Sequence, residues 1–196
     1  IIPYFKKKKY IQNTINTVVT QTYKNLEIII IYDDTDMSDL NYLKEIAKSD
    51  NRIIIIKNNN NLGAGLSRNE GIKKSSGEYI AFLDADDLWH KEKISKQIYF
   101  MKQNYSVISH TSYSIINDKT KKIISIRHAK NFNNVNELLK SCDIGLSTVM
   151  LKKNTLLENN IKFPNLKTKE DFVLWLMFLI GKNKIFALKE NLMTWR

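Results

Sequence analysis

The sequence is poor in the residues that form crosslinks, linkers and membrane spans. One cysteine, Cys142, occurs in 196 residues, which excludes an intramolecular disulfide framework and fits a reducing compartment. No signal peptide is visible, and the longest apolar run, Phe172–Ile180, is too short to span a bilayer and is predicted to be a core helix. With only two prolines and six glycines there is no Pro/Gly linker, so one compact unit is the simplest prediction.

Acidic residues are scarce relative to basic ones. Lysine and arginine number 31 against 20 aspartates and glutamates, which gives a net charge of +11. Such a balance favours polyanions: nucleic acid, a phospholipid surface or nucleotide phosphates. The sequence shows no zinc-ligand spacing, no basic repeat interleaved with aromatics and no helix-turn-helix pattern, so nucleic acid is not expected. The Lys6–Lys9 run is interpreted as a solvated loop.

The first half of the chain alternates between strand-like and helix-like segments. Runs of β-branched residues, such as Leu26–Tyr32, are typical of strands covered on both faces. Between them, apolar residues recur at helical spacing, as at Ile11, Ile15 and Val18. This alternation predicts an α/β fold with a mainly parallel, Rossmann-like sheet and helices on both faces. The predicted strands are Ile1–Pro3, Leu26–Tyr32, Arg52–Lys57 and Tyr79–Leu83, and the predicted helices are Tyr10–Thr22, Ser38–Ser49, Leu66–Ser75 and Lys91–Asn104.

The second half is less regular. Val107–Ile116 and Ile123–Arg127 flank the polar turn Asn117–Lys122 and predict a hairpin. No internal repeat or low-complexity tract is present, so residues 1–196 are interpreted as one domain with two halves, 1–105 and 106–196. The other predicted elements are helices at Val135–Ser141, Lys153–Asn159 and Glu170–Ile180 and strands at Leu146–Leu151 and Lys184–Leu188.

Acidic residues cluster where predicted elements begin or end. Asp33-Asp34 and the DxD-type segment Asp84-x-Asp86-Asp87 each follow a buried strand, and the carboxyl ends of parallel strands form the edge where such sheets bind ligands. Carboxylates there can share Mg²⁺ or Mn²⁺ with a diphosphate; the alternative is a polar turn that caps the strand. A third pair, Glu170-Asp171, opens a helix, where its alternative is a purely structural role at the helix N-terminus.

The glycine pair Gly63-x-Gly65 invites a dinucleotide-binding interpretation, which fails in detail. Arg68 stands where the third glycine of that fingerprint belongs, and the first strand–helix turn carries lysines. The pair more simply lets a loop pass close to a ligand. Arg68 is then available to a phosphate of that ligand; the alternative is an ordinary surface arginine.

Taken together, these segments resemble the family 2 glycosyltransferases, which have the GT-A-type nucleotide-sugar fold. The resemblance covers nearly the whole chain, and its motifs occur in order with suitable spacing. They are Ile1–Phe5, Gln21–Ile29 leading to Asp33-Asp34, Asn61–Gly63 through Arg68-Asn69, Ser76–Ile80 leading to Asp84–Asp87, and Glu170–Trp175.

The resemblance implies a role for each candidate site residue. These roles are nucleoside binding for Pro3, Tyr4 and Asp34, contact with ribose and diphosphate for Asp84 and Ala85, coordination of a divalent metal (Mn²⁺ or Mg²⁺) for Asp86, and general-base catalysis for Asp171. The chemistry agrees, because a cation can neutralise a leaving nucleoside diphosphate and a carboxylate can take the proton of an acceptor hydroxyl. One base opposite the leaving group implies inversion at the anomeric carbon, whereas retention by double displacement would need a carboxylate nucleophile.

The implied function is that of an inverting, metal-dependent hexosyltransferase with a nucleotide-sugar donor, expected to be UDP-linked. The implied acceptor is a hydroxyl of a growing surface glycan: a lipo-oligosaccharide, a capsule or a lipid-linked oligosaccharide. Residues 1–105 would form the nucleotide-sugar-binding half and residues 106–196 the acceptor-side half. The family normally continues beyond a segment like Thr194-Trp195-Arg196, so that half is expected to be truncated. The basic surface adds the expectation of a cytoplasmic protein with peripheral contact to the inner face of an anionic membrane.

Two other functions are weighed. A strand followed by Asp-x-Asp also begins the haloacid-dehalogenase-like phosphatases, but there the motif lies on the first strand and a later strand ends in another acid pair; here the motif follows the fourth predicted strand. A non-catalytic nucleotide- or glycan-binding module of the same fold is the other alternative. The presence of both Asp86 and Asp171 favours an enzyme over that module.

Overall fold

The structure, a computed structural model, describes all residues from Ile1 to Arg196. Strands β1 (Ile2–Tyr4), β2 (Ile28–Tyr32) and β3 (Ile53–Lys57) form a parallel sheet with β2 in the middle. Every residue of β2 is buried. An unbroken β-branched run is therefore found where the sheet is covered on both faces, as predicted.

Helices cover both faces of this sheet. Helices α1 (Lys8–Val19) and α2 (Leu40–Ala47) share one hydrophobic cluster with Ile28 and Ile30 of β2. Helix α3 (Ala64–Lys74) contacts β1 and β2 without entering that cluster. Because successive strand residues point to opposite faces, α3 lies on the face opposite α1 and α2.

Strand β4 (Tyr79–Ala81) belongs to a second sheet, and its end is hydrogen-bonded to Ile1, the residue before β1. Ile1 N donates to Ala81 O at 2.8 Å, and Leu83 N donates to Ile1 O at 3.1 Å. Ile1 therefore bonds to the residues before and after Phe82. This is the hydrogen-bond pattern of parallel strands. The predicted parallel arrangement therefore holds for β1 to β4, and their carboxyl ends lie at one edge.

Beside the parallel sheet that was predicted, a second sheet of six strands is mixed. Strand β4 pairs antiparallel with β8 (Met150–Lys152), and the order continues through β6 (Ile108–Ile116) and β9 (Phe186–Trp195) to β5 (Leu88–Trp89). Strands β6 and β9 are parallel, whereas the β5–β9 and β6–β8 pairs are antiparallel. Strand β7 (Ile123–Arg127) pairs antiparallel with β6, so the predicted hairpin is confirmed.

Two other boundaries differ from the predictions. The segment predicted as the strand Leu146–Leu151 begins with a 3₁₀ turn, Leu146–Thr148, before β8 starts at Met150. The final strand begins at Phe186 and extends to Trp195, well beyond Leu188. It is longer because its second half pairs with both β6 and β5, contacts that local sequence does not reveal.

A second hydrophobic cluster lies under the less regular half. Helix α7 (Glu170–Ile180) contributes Leu174, Trp175 and Phe178 to it, each with no exposed surface. Burial of such side chains stabilises the fold by about 1.5–3 kcal/mol each. None of the helices has the length and apolarity needed to cross a bilayer. The remaining helices are α4 (Lys93–Gln103), α5 (Val135–Lys140) and α6 (Lys153–Glu158).

Candidate active site

The site is built on a turn that follows β4, called the acidic turn below (residues Asp84–Asp87). Asp87 N donates to Asp84 O at 3.0 Å, which closes the turn. Ala85 is 4% exposed, and its carbonyl accepts a hydrogen bond from Thr14 Oγ1 at 2.9 Å. Ala85 therefore attaches the turn to α1, while the three carboxylates leave it in other directions.

Ser147 of the 3₁₀ turn attaches the acidic turn to the other half of the chain. Its Oγ accepts from Asp84 N at 3.0 Å and donates to Asp87 Oδ2 at 2.6 Å. The carbonyl of Ser147 accepts from Trp89 Nε1 at 2.7 Å, and both Ser147 and Asp87 are buried. Burial, with the nearby charge of Asp84, raises the pKa of the Asp87 carboxyl to about 8, against the effect of the Ser147 hydrogen bond.

Arg68 joins two of the three acid clusters. Its Nη2 lies 2.7 Å from Asp84 Oδ1, and its Nη1 lies 2.8 Å from Glu170 Oε1. Arg68 is 3% exposed, so the surface-arginine alternative is wrong. A Cβ on Gly65 would lie 2.9 Å from Glu170 Cγ. The glycine therefore allows α3 to approach the start of α7 closely.

Asp86 is held by two cations. Lys7 Nζ, from the loop after β1, lies 2.5 Å from Asp86 Oδ2. Arg196 Nε donates to the carbonyl of Asp86, and Arg196 Nη2 donates to Thr14 Oγ1 at 3.1 Å. The interpretation of the lysine run as a solvated loop is wrong for Lys7, because its ammonium group is bound to the acidic turn.

A cleft of about 300 Å³ opens beside the acidic turn. Burial raises the pKa of the Asp171 carboxyl, while the hydrogen bond from Phe172 N and the charge of Arg68 oppose the rise. A carboxylate whose pKa is raised is a stronger base, as a general base requires. The cleft is lined by Asp84, Asp87, Asp171, Tyr113, Ile115, Arg127, Gly145, Leu146, Met193 and Trp195.

A larger cavity, about 450 Å³, lies at the opposite edge of the sheet, where β2 and β4 begin. Most of its lining residues are apolar. Glu27 lines it, but Glu27 Oε1 accepts from the backbone N–H groups of Ser76 and Gly77 at 2.6 and 2.8 Å. That carboxylate is engaged in structure, so the cleft at the carboxyl ends of the strands is the better candidate site.

The acid pair after β2 divides into a structural and a free member. Asp33 accepts from Leu62 N and Gly63 N at 2.8 and 2.9 Å, which fixes the loop before α3. Gly63 has a φ of 82°, a conformation that glycine adopts without strain. Asp34 Oδ1 accepts from Asp36 N at 3.1 Å, and its Oδ2 makes no hydrogen bond to protein. Asp34 thus keeps one oxygen for a ligand.

The two remaining predicted pocket residues lie on β1. Tyr4 has no exposed surface; its ring stacks on Tyr32 with centroids 5.5 Å apart, and its hydroxyl donates to Asp39 Oδ2 at 2.7 Å. Pro3 is half-buried. The Tyr4 ring forms part of the hydrophobic core, and its contact with a nucleoside stays a prediction.

Comparison with known proteins decides the family. The sequence profile described as Glycosyl transferase family 2 matches residues 1–173. The protein belongs to glycosyltransferase family 2. The resemblance predicted from the motifs is confirmed, and the phosphatase interpretation is set aside, because these motifs occur together in a glycosyltransferase.

Two family 2 relatives differ in how much of their length they share. The Escherichia coli UDP-Glc:alpha-D-GlcNAc-diphosphoundecaprenol beta-1,3-glucosyltransferase WfaP is 40% identical over 179 residues, 91% of this chain and 68% of WfaP. An uncharacterized glycosyltransferase of Rickettsia felis is 39% identical over 193 residues, 98% of this chain. The chain spans only 31% of the length of that Rickettsia protein.

Solved structures have the same fold. S. aureus TarS 1-349 in complex with UDP superposes with a TM-score of 0.83 at 21% identity, over 100% of this chain and 59% of that one. The mannosyltransferase PcManGT from Pyrobaculum calidifontis, in complex with GDP-Man and Mn²⁺, gives a TM-score of 0.74 at 12% identity, over 99% of this chain and 55% of that one. The predicted GT-A-type α/β fold is confirmed.

The acidic turn provides carboxylate oxygens, the ligands that hard divalent cations prefer, but it provides few of them. No group of three or more His, Cys, Asp or Glu side chains in the structure is arranged to hold a metal ion. Asp84 and Asp86 lie two positions apart in the turn, and each is paired with a cation, Arg68 and Lys7 respectively. Mg²⁺ is commonly held by one or two carboxylates with substrate phosphates and water. The family 2 site therefore fits a metal that binds together with a diphosphate.

Three residues that reach the acidic turn from distant segments were not predicted as part of the site. Lys7 carried one usable signal, since it lies in the loop after a strand of the parallel sheet. Ser147 and Arg196 carried none, because they lie 60 or more positions from the aspartate they contact. Arg196 N donates to Asp87 Oδ1 at 3.3 Å.

Proposed function

We propose that this family 2 protein transfers a sugar from a UDP-linked nucleotide-sugar to a hydroxyl of a growing surface glycan, with inversion at the anomeric carbon. The observation that carries the proposal is the cleft in which Asp171, with its raised pKa, faces the Asp84 and Asp87 side of the acidic turn. A base and a diphosphate-binding turn on one small cleft are the two groups that a single displacement needs. Residues 1–196 would act as one catalytic unit, with donor binding in residues 1–105 and acceptor binding in 106–196.

The donor would bind along the carboxyl ends of β1, β2 and β4. Asp34, with its free Oδ2, would accept a hydrogen bond from the base, next to Pro3 and Tyr4. Asp84 and the backbone of Ala85 would meet the ribose and diphosphate. The binding of UDP by TarS, which shares the fold, supports a nucleotide at this edge.

Charge at the diphosphate is the main requirement of the leaving group. Asp86 would hold the divalent metal, and the metal would act as a Lewis acid on the leaving diphosphate. Arg68 already pairs with Asp84 at 2.7 Å and would place its guanidinium next to a phosphate bound there. Lys7, now on Asp86, would become available to a phosphate oxygen once that carboxylate has another partner. The Mn²⁺ in the PcManGT complex supports a metal with this fold.

Asp171 would remove the proton from the acceptor hydroxyl. Its Oδ1 accepts from Phe172 N at 2.8 Å, which fixes the carboxylate at the start of α7. Because burial raises its pKa, the carboxylate would hold the proton more readily than an exposed aspartate as the hydroxyl attacks.

A lipid-linked acceptor is the form that the relatives favour. WfaP, named for transfer to GlcNAc-diphosphoundecaprenol, is 40% identical, and a second E. coli enzyme named for the same reaction, WfgD, is 37% identical over 183 residues. The net charge of +11 would favour peripheral contact with an anionic membrane, where such an acceptor resides. This contact would place the protein at the cytoplasmic face.

Thermal shifts with UDP, GDP, CDP and dTDP, each with Mn²⁺, Mg²⁺ or EDTA, test the donor site. A ligand present at 100 times its Kd stabilises the folded state by about 2.7 kcal/mol. We expect a metal-dependent rise in Tm with UDP that Asp86→Ala abolishes. Glu45→Ala is the control, because it removes an exposed carboxylate paired only with Lys48.

The outcomes separate the candidate functions. No shift with any nucleotide would contradict the proposal. A UDP shift without sugar transfer to any lipid-linked acceptor would favour the non-catalytic binding module.

A further inference from the structure

The cleft wall opposite the acidic turn is formed by one face of three strands of the mixed sheet, β7, β6 and β9. In the β6–β7 pair, Tyr113 lies opposite Arg127. In the β6–β9 pair, Tyr113 lies opposite Met193 and Ile115 opposite Trp195. Residues directly opposite each other, and residues two apart on one strand, share a face of a sheet. All five therefore project from one face, and all five line the cleft.

This wall combines an aromatic surface with one cation. Trp195 is 49% exposed, so a large part of its indole is free for contact. Such a surface with a few placed polar groups is the usual composition of a small-molecule site. Arg127 is the only basic residue that lines the cleft.

The guanidinium of Arg127 makes one long ion pair and no hydrogen bond. Its side chain is 53% exposed, and its nearest carboxylate oxygen, Asp143 Oδ1, lies 3.9 Å from Nη1. That distance is too long for a hydrogen bond, and no other group in the structure accepts one from this side chain. Planar guanidinium donors in this state can take a phosphate by two parallel hydrogen bonds.

The carboxylates near Arg127 determine where in the cleft an anion can bind. Asp84 and Asp171 line the cleft with it, so in the absence of donor and metal a phosphate in the cleft is favoured at Arg127. An aromatic contact and a cation for an anion are therefore provided by the same wall of the cleft.

We infer that Arg127 and Trp195 form an acceptor subsite for a sugar that carries a phosphate or diphosphate at its anomeric carbon. The sugar ring contacts Trp195, its phosphate binds Arg127, and its attacking hydroxyl faces Asp171. The assignment of Asp171 rests on the proposed transferase function, whereas the binding of the phosphorylated sugar does not.

Lys130 provides a matched control for Arg127. Its Nζ lies 3.8 Å from the same Asp143, and its side chain is 47% exposed, but Lys130 does not line the cleft. Arg127→Ala and Lys130→Ala therefore remove equal charge from equally exposed positions beside the same carboxylate. Arg127→Lys keeps the charge but loses the two parallel hydrogen bonds.

Direct binding is measured first, without donor, by quenching of tryptophan fluorescence. The three probes are N-acetylglucosamine diphosphate esterified to a short isoprenyl chain, free N-acetylglucosamine 1-phosphate, and the octyl glycoside of the same sugar. We expect Arg127→Ala to weaken binding of both phosphorylated probes by about tenfold or more, to leave the octyl glycoside within twofold, and Lys130→Ala to change none. Arg127→Lys should restore part of the loss.

Three results would overturn the subsite. The first is that Arg127→Ala loses affinity equally for the phosphorylated and the neutral probes. The second is that Arg127→Ala and Lys130→Ala lose affinity equally. The third is that the wild type binds no phosphorylated probe. Tighter binding of the isoprenyl probe than of the free sugar phosphate would identify the lipid-linked source, and equal binding the free one. The transfer assay is then run with the same probes. Binding without transfer would count against the proposed function alone, whereas an unchanged KM for the diphosphate acceptor in Arg127→Ala would count against the subsite alone.

Discussion

Replacement of Ser147 with alanine removes the contact by which one half of the chain positions the acidic turn of the other. The hydroxyl accepts from Asp84 N at 3.0 Å and donates to Asp87 Oδ2 at 2.6 Å. Ser147 and Asp87 are each 1% exposed, so water does not readily replace the lost hydroxyl. The variant therefore leaves a backbone N–H and a buried carboxyl each without this partner.

The expected cost follows from the two bonds. A hydrogen bond between neutral groups contributes about 0.5–1.5 kcal/mol, and Asp87, whose pKa is raised to about 8, is mostly neutral at pH 7. The two bonds together predict that Ser147→Ala lowers the free energy of unfolding by about 1–3 kcal/mol. Since Asp84 N is a fixed point of the acidic turn, the affinity for UDP with metal should fall as well.

Ser106→Ala is the matched control for this prediction. Ser106 is also 1% exposed, but its Oγ has no hydrogen-bond partner, so its removal should change stability by less than about 0.5 kcal/mol. Urea denaturation of both variants gives the two free energies, and calorimetry gives the UDP affinity. Equal stability of the two variants, or unchanged UDP affinity in Ser147→Ala, would refute the reasoning.

Three further predictions follow from single residues. Lys93 is fully buried, and burial lowers its pKa to about 7 from 10.5. Between pH 7 and pH 10.5, Lys93 is protonated in the unfolded chain but has lost its proton in the folded chain. The free energy of unfolding should therefore rise with pH across this range, by at most about 1.4 kcal/mol per pH unit. In urea titrations Lys93→Met should remove that rise and increase stability at pH 7; an unchanged slope would show that Lys93 is not its source. Gly65→Ala should lower Tm, because the added methyl group would lie 2.9 Å from Glu170 Cγ. Overpacking costs about 1–3 kcal/mol, which exceeds the gain in helix propensity of about 1 kcal/mol. A higher Tm would contradict the close approach of α3 and α7. Asp34→Asn keeps an oxygen for the N–H of the turn but loses the charge, so UDP affinity measured by calorimetry should fall about tenfold with little change in Tm; unchanged affinity would contradict the contact with the base.

The sequence was sufficient for the features that depend on local pattern. The β-branched runs predicted strands β2 and β3, and in β2, which is covered on both faces, apolar residues occupy consecutive positions. Strand-end acids at Asp34 and Asp84 were predicted to share an edge, since parallel strands place their carboxyl ends together. The family motifs added roles that spacing alone does not provide.

The remaining features depend on contacts between distant segments. Strand β9 pairs with β6 in parallel and with β5 in antiparallel orientation, and nothing in its own residues distinguishes these partners. The Arg68–Glu170 ion pair spans 102 positions. Both features arise when the second half packs on the first, so the mixed sheet and the side chains around the acidic turn were not predictable from local patterns.

The most direct test of the account is to determine the anomeric configuration of the product. Proton NMR measures it during transfer from UDP-glucose to N-acetylglucosamine-diphosphoryl lipid. The donor carries an α-linked glucose, so inversion with Asp171 as the base predicts a β-linked product and loss of transfer in Asp171→Asn, with the UDP affinity retained. An α-linked product, or transfer by Asp171→Asn at the wild-type rate, would contradict the central claim.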